Sequence, residues 1–142
     1  MGNLTSRIVT MLERYSDGKV PAPKKIPTDE LRTDHLWADY GRYMAEYRFD
    51  DVIFKIQSLV ATADQFINKT KPWELAKKGH DISGNLYILA ETLRHIALAL
   101  LPIIPASSTK ILHELGVDPK KLSTLGKEQM WGELKKGGII KK

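Results

Sequence analysis

The sequence predicts an all-α fold, a single bundle of about five helices with an irregular C-terminal tail. Residues 49 to 67 place Phe49, Val52, Ile53, Ile56, Leu59, Val60, Ala63, Phe66 and Ile67 at helical spacing, which keeps one stripe facing a core. Residues 86 to 100 are apolar over most of a helical circumference, with Leu86, Ile88, Leu89, Leu93, Ile96, Ala97 and Leu100, the pattern of a helix buried on all sides. No segment alternates well enough for a sheet, and no internal repeat is present. At 142 residues the chain is long enough for one domain with a single core. The expected organisation is a helical bundle over residues 1–116 and a C-terminal segment, 117–142, packing back on it with a basic end.

The first helix is expected from Gly2 to Tyr15, with Leu4, Ile8, Met11, Leu12 and Tyr15 as its apolar stripe. Asn3, Arg7 and Arg14 form a polar stripe beside it, within roughly 40° of one another at the helical rotation per residue. Asp17-Gly18 ends that helix, and VPAPKKIP, Val20 to Pro27, is a proline-punctuated connection. Thr28 then reads as an N-cap, with Asp29 and Glu30 in the first turn, where the helix dipole favours anions. The second helix is expected to run unbroken to about Tyr47, with Leu36, Tyr40, Tyr43 and Tyr47 on one face and Trp37 and Met44 alongside.

The third helix begins at Phe49. Pro72 lacks an amide hydrogen and disfavours helical geometry at Lys71, so this helix should stop near Thr70. A Lys71-Pro72-Trp73 corner follows, then a helical turn from Trp73 to Lys78 and a loop to Gly84. The fourth helix starts near Ser83, is expected to be the most buried, and is broken by Pro102 and Pro105. The fifth covers Ala106 to Leu115, with Gly116 beyond its end as the cap. In the tail, Trp131 is expected to pack back on the bundle and leave the lysines loose.

Composition excludes several classes of function. There is no cysteine, so disulfides and thiolate chemistry are absent, which fits a reducing cytosol. No apolar run reaches membrane-spanning length, and residues 1–15 lack the apolar segment and cleavage site of a secretory signal. The net charge of +5 falls entirely in residues 71–142, much of it on Lys120, Lys121, Lys135, Lys136, Lys141 and Lys142. A basic end attracts phosphates, yet solvated lysines explain it as well.

Candidate catalytic groups do not converge. The histidines, His35, His80, His95 and His113, lie on different segments. Glu91 and His95 are spaced i, i+4, but no second pair closes a metal site, and a core or surface hydrogen bond explains them better. Asp50-Asp51 compensates a helix dipole rather than forming an acid/base pair. Gly79 to Gly84 has G-x-x-x-x-G spacing, but Asn85 stands where a phosphate-gripping lysine is needed and no strand precedes it. No serine sits in a nucleophile elbow. The sequence therefore presents no catalytic or metal-binding residues.

Asn3, Arg7 and Trp73 remain, and from the residues alone two readings stay open. In one, Trp73 fills the bundle end and the other two are surface groups. In the other, an aromatic face stacks on an unpaired base while an amide and a guanidinium read base edges.

Three stretches, GNLTSRIVTMLERYSDGKVP at Gly2 to Pro21, FDD…ATADQFINKTKPWELAK from Phe49 to Lys77, and LLPIIPASSTKILHELG at Leu100 to Gly116, together resemble the anticodon-binding domain of the methionyl-tRNA synthetase family. The closing WGELKKGGII is similar to the segment after that bundle in the family. The resemblance implies a class I helical bundle that binds methionine tRNA through its CAU anticodon. It implies that Asn3 and Arg7 match the family's Asn-x-x-x-Arg, which contacts anticodon bases. It also implies that Pro72 and Trp73 match a Pro-Trp element whose indole stacks on the first anticodon base. Arg14 and Asn68 are candidates for additional RNA contacts.

Neither a HIGH-like nor a KMSKS-like nucleotide motif is present, so the chain is expected to be a fragment of a longer cytoplasmic ligase. No cofactor is expected in this chain, and ATP and methionine would belong to the catalytic domain elsewhere in the parent chain. Two alternatives are carried forward. One is the equivalent bundle of another class I synthetase. The other is a helical interaction module that uses Tyr40, Tyr43, Met44 and Tyr47 to hold a partner helix.

Overall fold

In a computed structural model, the residues described are 2–23, 31, 33–118, 131, 134 and 138. They form α1 (Gly2–Tyr15), α2 (Thr33–Trp37), α3 (Tyr40–Ala45), α4 (Phe49–Thr70), α5 (Pro72–Lys77), α6 (Ser83–Leu100) and α7 (Pro105–Glu114). The all-α expectation holds. Thr28, Asp29 and Glu30 lie outside the described residues, as do Met130 and Lys120, Lys121, Lys135, Lys136, Lys141 and Lys142.

α6 is the axis of the bundle and packs against α1, α4 and α7. Residues Gly84 to Leu100 are all buried, because an apolar surface this wide leaves no face for water. Asp81 Oδ1 accepts from Ser83 N at 2.9 Å and satisfies a donor at the start of the helix. α1 inserts Leu4, Ile8 and Leu12 into the core. α4 buries Val52, Ile56, Leu59, Ala63, Phe66 and Ile67, a narrower stripe than the sequence suggests. Phe49 at its start is 38% exposed. Next to it, Asp51 Oδ2 accepts from Arg48 Nε at 2.7 Å.

The expected second helix is broken. Asp39 takes a left-handed conformation, φ 63°, and separates α2 from α3; aspartate tolerates that region better than most residues. Tertiary anchors account for the break. Trp37 Nε1 donates to His95 Nδ1 at 2.8 Å, and Tyr40 Oη donates to the Ala99 carbonyl at 2.8 Å. Two side chains three residues apart thus reach positions one turn apart on α6, with their rings edge to face at 4.8 Å. Lys55 Nζ donates to the His35 and Ala38 carbonyls and satisfies the end of α2 from α4.

Beyond Asp118, three residues of the tail are described. Leu134 is buried in the core, and its carbonyl accepts from Tyr87 Oη at 2.7 Å. Trp131 stacks on the His95 ring at 5.6 Å. The Gly138 carbonyl accepts from Val20 N at 2.8 Å.

Candidate nucleic-acid interface

The corner after α4 forms as the proline dictates. α4 stops at Thr70, and Lys71 turns left-handed at φ 45°. Pro72 becomes the first residue of α5, where its missing N–H costs nothing and its fixed φ suits a helix. The Lys71 carbonyl accepts from both Glu74 N and Leu75 N, and Lys71 N donates to the Ile67 carbonyl. Thr70 Oγ1 donates to the Phe66 carbonyl at 2.8 Å. Both backbone polar groups of Lys71, the residue at the bend, are therefore engaged close by. Pro72 is buried, whereas Trp73 is only half-buried, its ring packed against the core's edge beside Leu75 and Ala76. The indole neither lies inside the core nor stands fully clear of it.

On α1, Asn3 is exposed in the first turn and Arg14 is exposed in the last. Arg7 lies between them and spans to α4. Its Nη1 donates to Asp64 Oδ1 at 3.1 Å and its Nη2 to Asn68 Oδ1 at 2.9 Å. The Arg7 and Asp64 side chains are 29% and 34% exposed, so solvent screening limits the pair to at most about 1 kcal/mol of fold stability. The structure thus joins two of the sequence-predicted residues, Arg7 and Asn68. Among the described residues, neither a hydrogen bond nor a ring contact links Trp73 to Asn3 or Arg7. The connection is through the chain: Asn68 and Trp73 are five residues apart, at most about 17 Å of backbone.

Sequence reasoning did not single out Asp64. Its signal was present, an acidic residue one turn before Asn68 on the same face of α4. Which face of α1 would meet it is a tertiary matter. The exposed lysines around the corner, Lys69, Lys71, Lys77 and Lys78, were also passed over, although they flank Trp73 in sequence.

The other candidates resolve into structure. Glu91 and His95 do share a face, but the residue between them in space is Arg94, all three being buried. Arg94 Nε donates to Glu91 Oε1 and its Nη2 to Glu91 Oε2, while Nη2 lies 3.2 Å from His95 Nε2. This is a buried polar network rather than half a metal site, and no group of metal ligands occurs among the described residues. Of the four aromatic-face residues proposed to hold a partner helix, Tyr40 is buried and bonded to Ala99, and Tyr43 and Met44 are half-buried. Only Tyr47, 80% exposed, faces water fully. Among the described residues, no helix is long and apolar enough to cross a membrane.

No protein-family model matches the chain. Curated relatives do. It is 37% identical over 131 residues to the methionine–tRNA ligase of Enterococcus faecalis, covering 87% of this chain and 20% of that protein. It is 34% identical over 149 aligned residues to the methionine–tRNA ligase of Caldanaerobacter subterraneus subsp. tengcongensis, covering 100% of this chain and 23% of that protein. The chain matches a region of methionyl-tRNA synthetases. It spans about a fifth of the length of the curated relatives it matches. Among solved structures, free-state Mycobacterium tuberculosis methionyl-tRNA synthetase superposes with a TM-score of 0.75 at 26% identity, covering 99% of this chain and 29% of that one. The same synthetase in complex with methionyl-adenylate gives a TM-score of 0.73 over 98% of this chain and 28% of that one. The alignment to the Caldanaerobacter ligase spans the whole chain and so includes the helices that carry Arg7, Asn68 and the proline corner.

Proposed function

We propose that this bundle is the anticodon-binding part of a methionine–tRNA ligase and reads the CAU anticodon of methionine tRNA. In this reading Trp73 stacks on the first anticodon base, held by the Pro72 corner, and Asn3 and Arg7 hydrogen-bond base edges. Arg14 and Asn68 add further contacts, and the corner lysines engage phosphates. Aromatic stacking accepts any base, so sequence preference must come from the amide and guanidinium donors. The tRNA and the parent protein's catalytic domain are the partners. ATP and methionine act in that domain, in the cytoplasm. The segment 117–142 packs back on the bundle, a reading supported by the buried Leu134 and by Trp131 on His95.

One observation carries the proposal. Arg7 is held on α4 at Asn68, five residues before an indole that the fold leaves half outside the core. In this reading a base-reading group lies near the C-terminal end of α4 and a stacking platform lies just beyond it on α5. The test is titration of the chain with anticodon stem-loops of one stem sequence, carrying CAU or permuted anticodons. Clear preference for CAU is expected. Equal affinity for all loops, or none for any, would overturn the proposal.

A further inference from the structure

We infer that Asp64 is a positioning residue for Arg7, one that makes its guanidinium a reader of bases rather than a grip on phosphate. The inference rests on the anticodon-binding reading above. Asp64 is not itself a base contact in it.

The geometry is a two-point clamp. Nη1 of Arg7 is bonded to Asp64 and Nη2 to Asn68, and both acceptors lie on α4, one turn apart. α4 is fixed beneath them by Ala63 and Ile67, both fully buried. A guanidinium on a four-bond stem otherwise samples many rotamers, and ordering it opposes binding. With two bonds made, its plane is set before any RNA arrives. The clamp uses two of the five N–H groups and leaves three for a ligand. Asn68, by accepting through Oδ1, turns its own Nδ2 donors away from Arg7.

Charge supplies the second half. A carboxylate 3.1 Å from the guanidinium offsets its positive charge locally, so a passing phosphate gains less from it. Hydrogen bonds to neutral base edges lose little by the same offset. Asp64 should therefore lower sequence-independent binding relative to sequence-dependent binding.

The experiment measures affinities of the 142-residue chain for a CAU stem-loop and a scrambled-anticodon stem-loop over a range of salt concentrations. Wild type is compared with Asp64→Ala, Asp64→Asn, Arg7→Ala and the Arg7→Ala/Asp64→Ala double variant. Asp64→Ala is expected to reduce the CAU-to-scrambled affinity ratio about five- to tenfold, as for coupled neighbours, and to steepen the salt slope by about one phosphate contact. Asp64→Asn keeps an acceptor for Nη1 without the charge and should retain part of the ratio. In the Arg7→Ala background, Asp64→Ala should change nothing further. An unchanged ratio and slope, or the same loss in that background, overturns the inference. If Asp64→Ala melts before it can be titrated, Asp64→Asn decides by the same ratio and slope. Should Arg7→Ala and Trp73→Ala both bind CAU like wild type, the anticodon reading itself falls. Should they lose binding while the Asp64 variants do not, only this inference does.

Discussion

Trp37 donates its indole N–H to Nδ1 of His95 across 2.8 Å, tying a five-residue helix to the most buried helix of the bundle. α2 is too short to be stable by itself, so its position depends on such anchors. Trp37→Phe keeps most of the ring and removes the donor, leaving a buried imidazole nitrogen with one partner fewer. A loss of about 1–3 kcal/mol is expected, the scale of an unsatisfied buried group. Urea denaturation should show it as a lower midpoint with an unchanged slope.

The neighbouring Glu91–Arg94 pair is 0% and 1% exposed. Glu91→Ala strips the carboxylate from a buried guanidinium and should cost about 3–5 kcal/mol. That is a large share of the 5–15 kcal/mol typical of a whole domain. Replacing both residues with methionine should be far less damaging, since no lone charge is then left inside. Denaturation midpoints of the single and double variants distinguish the two outcomes.

Burial pushes the Tyr40 phenol above its ordinary value of 10.0. The folded state therefore keeps its proton to higher pH than the unfolded state does. The stability contributed by the neutral phenol is complete below pH 10.0 and is lost as pH rises from there through the folded-state value. Thermal midpoints should fall more steeply on the alkaline side for wild type than for Tyr40→Phe. The variant should also be less stable at neutral pH, because its ring can no longer bond the Ala99 carbonyl.

Arg7→Ala should narrow the difference in affinity between CAU and other anticodon loops more than it alters the dependence on salt, because base contacts specify while phosphate contacts position. Stem-loop titrations at several salt concentrations measure both. A shallower salt slope with unchanged anticodon preference would mean that Arg7 touches only the backbone.

The helix positions were legible where the chain carries strong periodicity or a breaker. α1, α4 and α6 follow from apolar spacing, and the stop at Thr70 follows from Pro72. The break at Asp39 was not legible, since Leu36, Tyr40 and Tyr43 keep helical spacing across it. It arises from Trp37 and Tyr40 finding partners on α6, which no local pattern encodes. Arg94 was missed for a related reason: a cation amid apolar neighbours reads as a surface group until the carboxylate beside it is known to be buried. At the candidate surface, the residue types and the corner were readable. The Arg7–Asp64–Asn68 clamp needed the packing of α1 on α4, and the half-burial of Trp73 needed the whole bundle end.

The most direct test of the RNA-binding account is the affinity of Trp73→Ala for a CAU anticodon stem-loop, measured beside its thermal melting. Binding weaker by about 1–3 kcal/mol is expected, the scale of one base–aromatic stack, in a chain that still melts cooperatively. Wild-type affinity in the folded variant, or loss of binding only because the variant no longer folds, would contradict it.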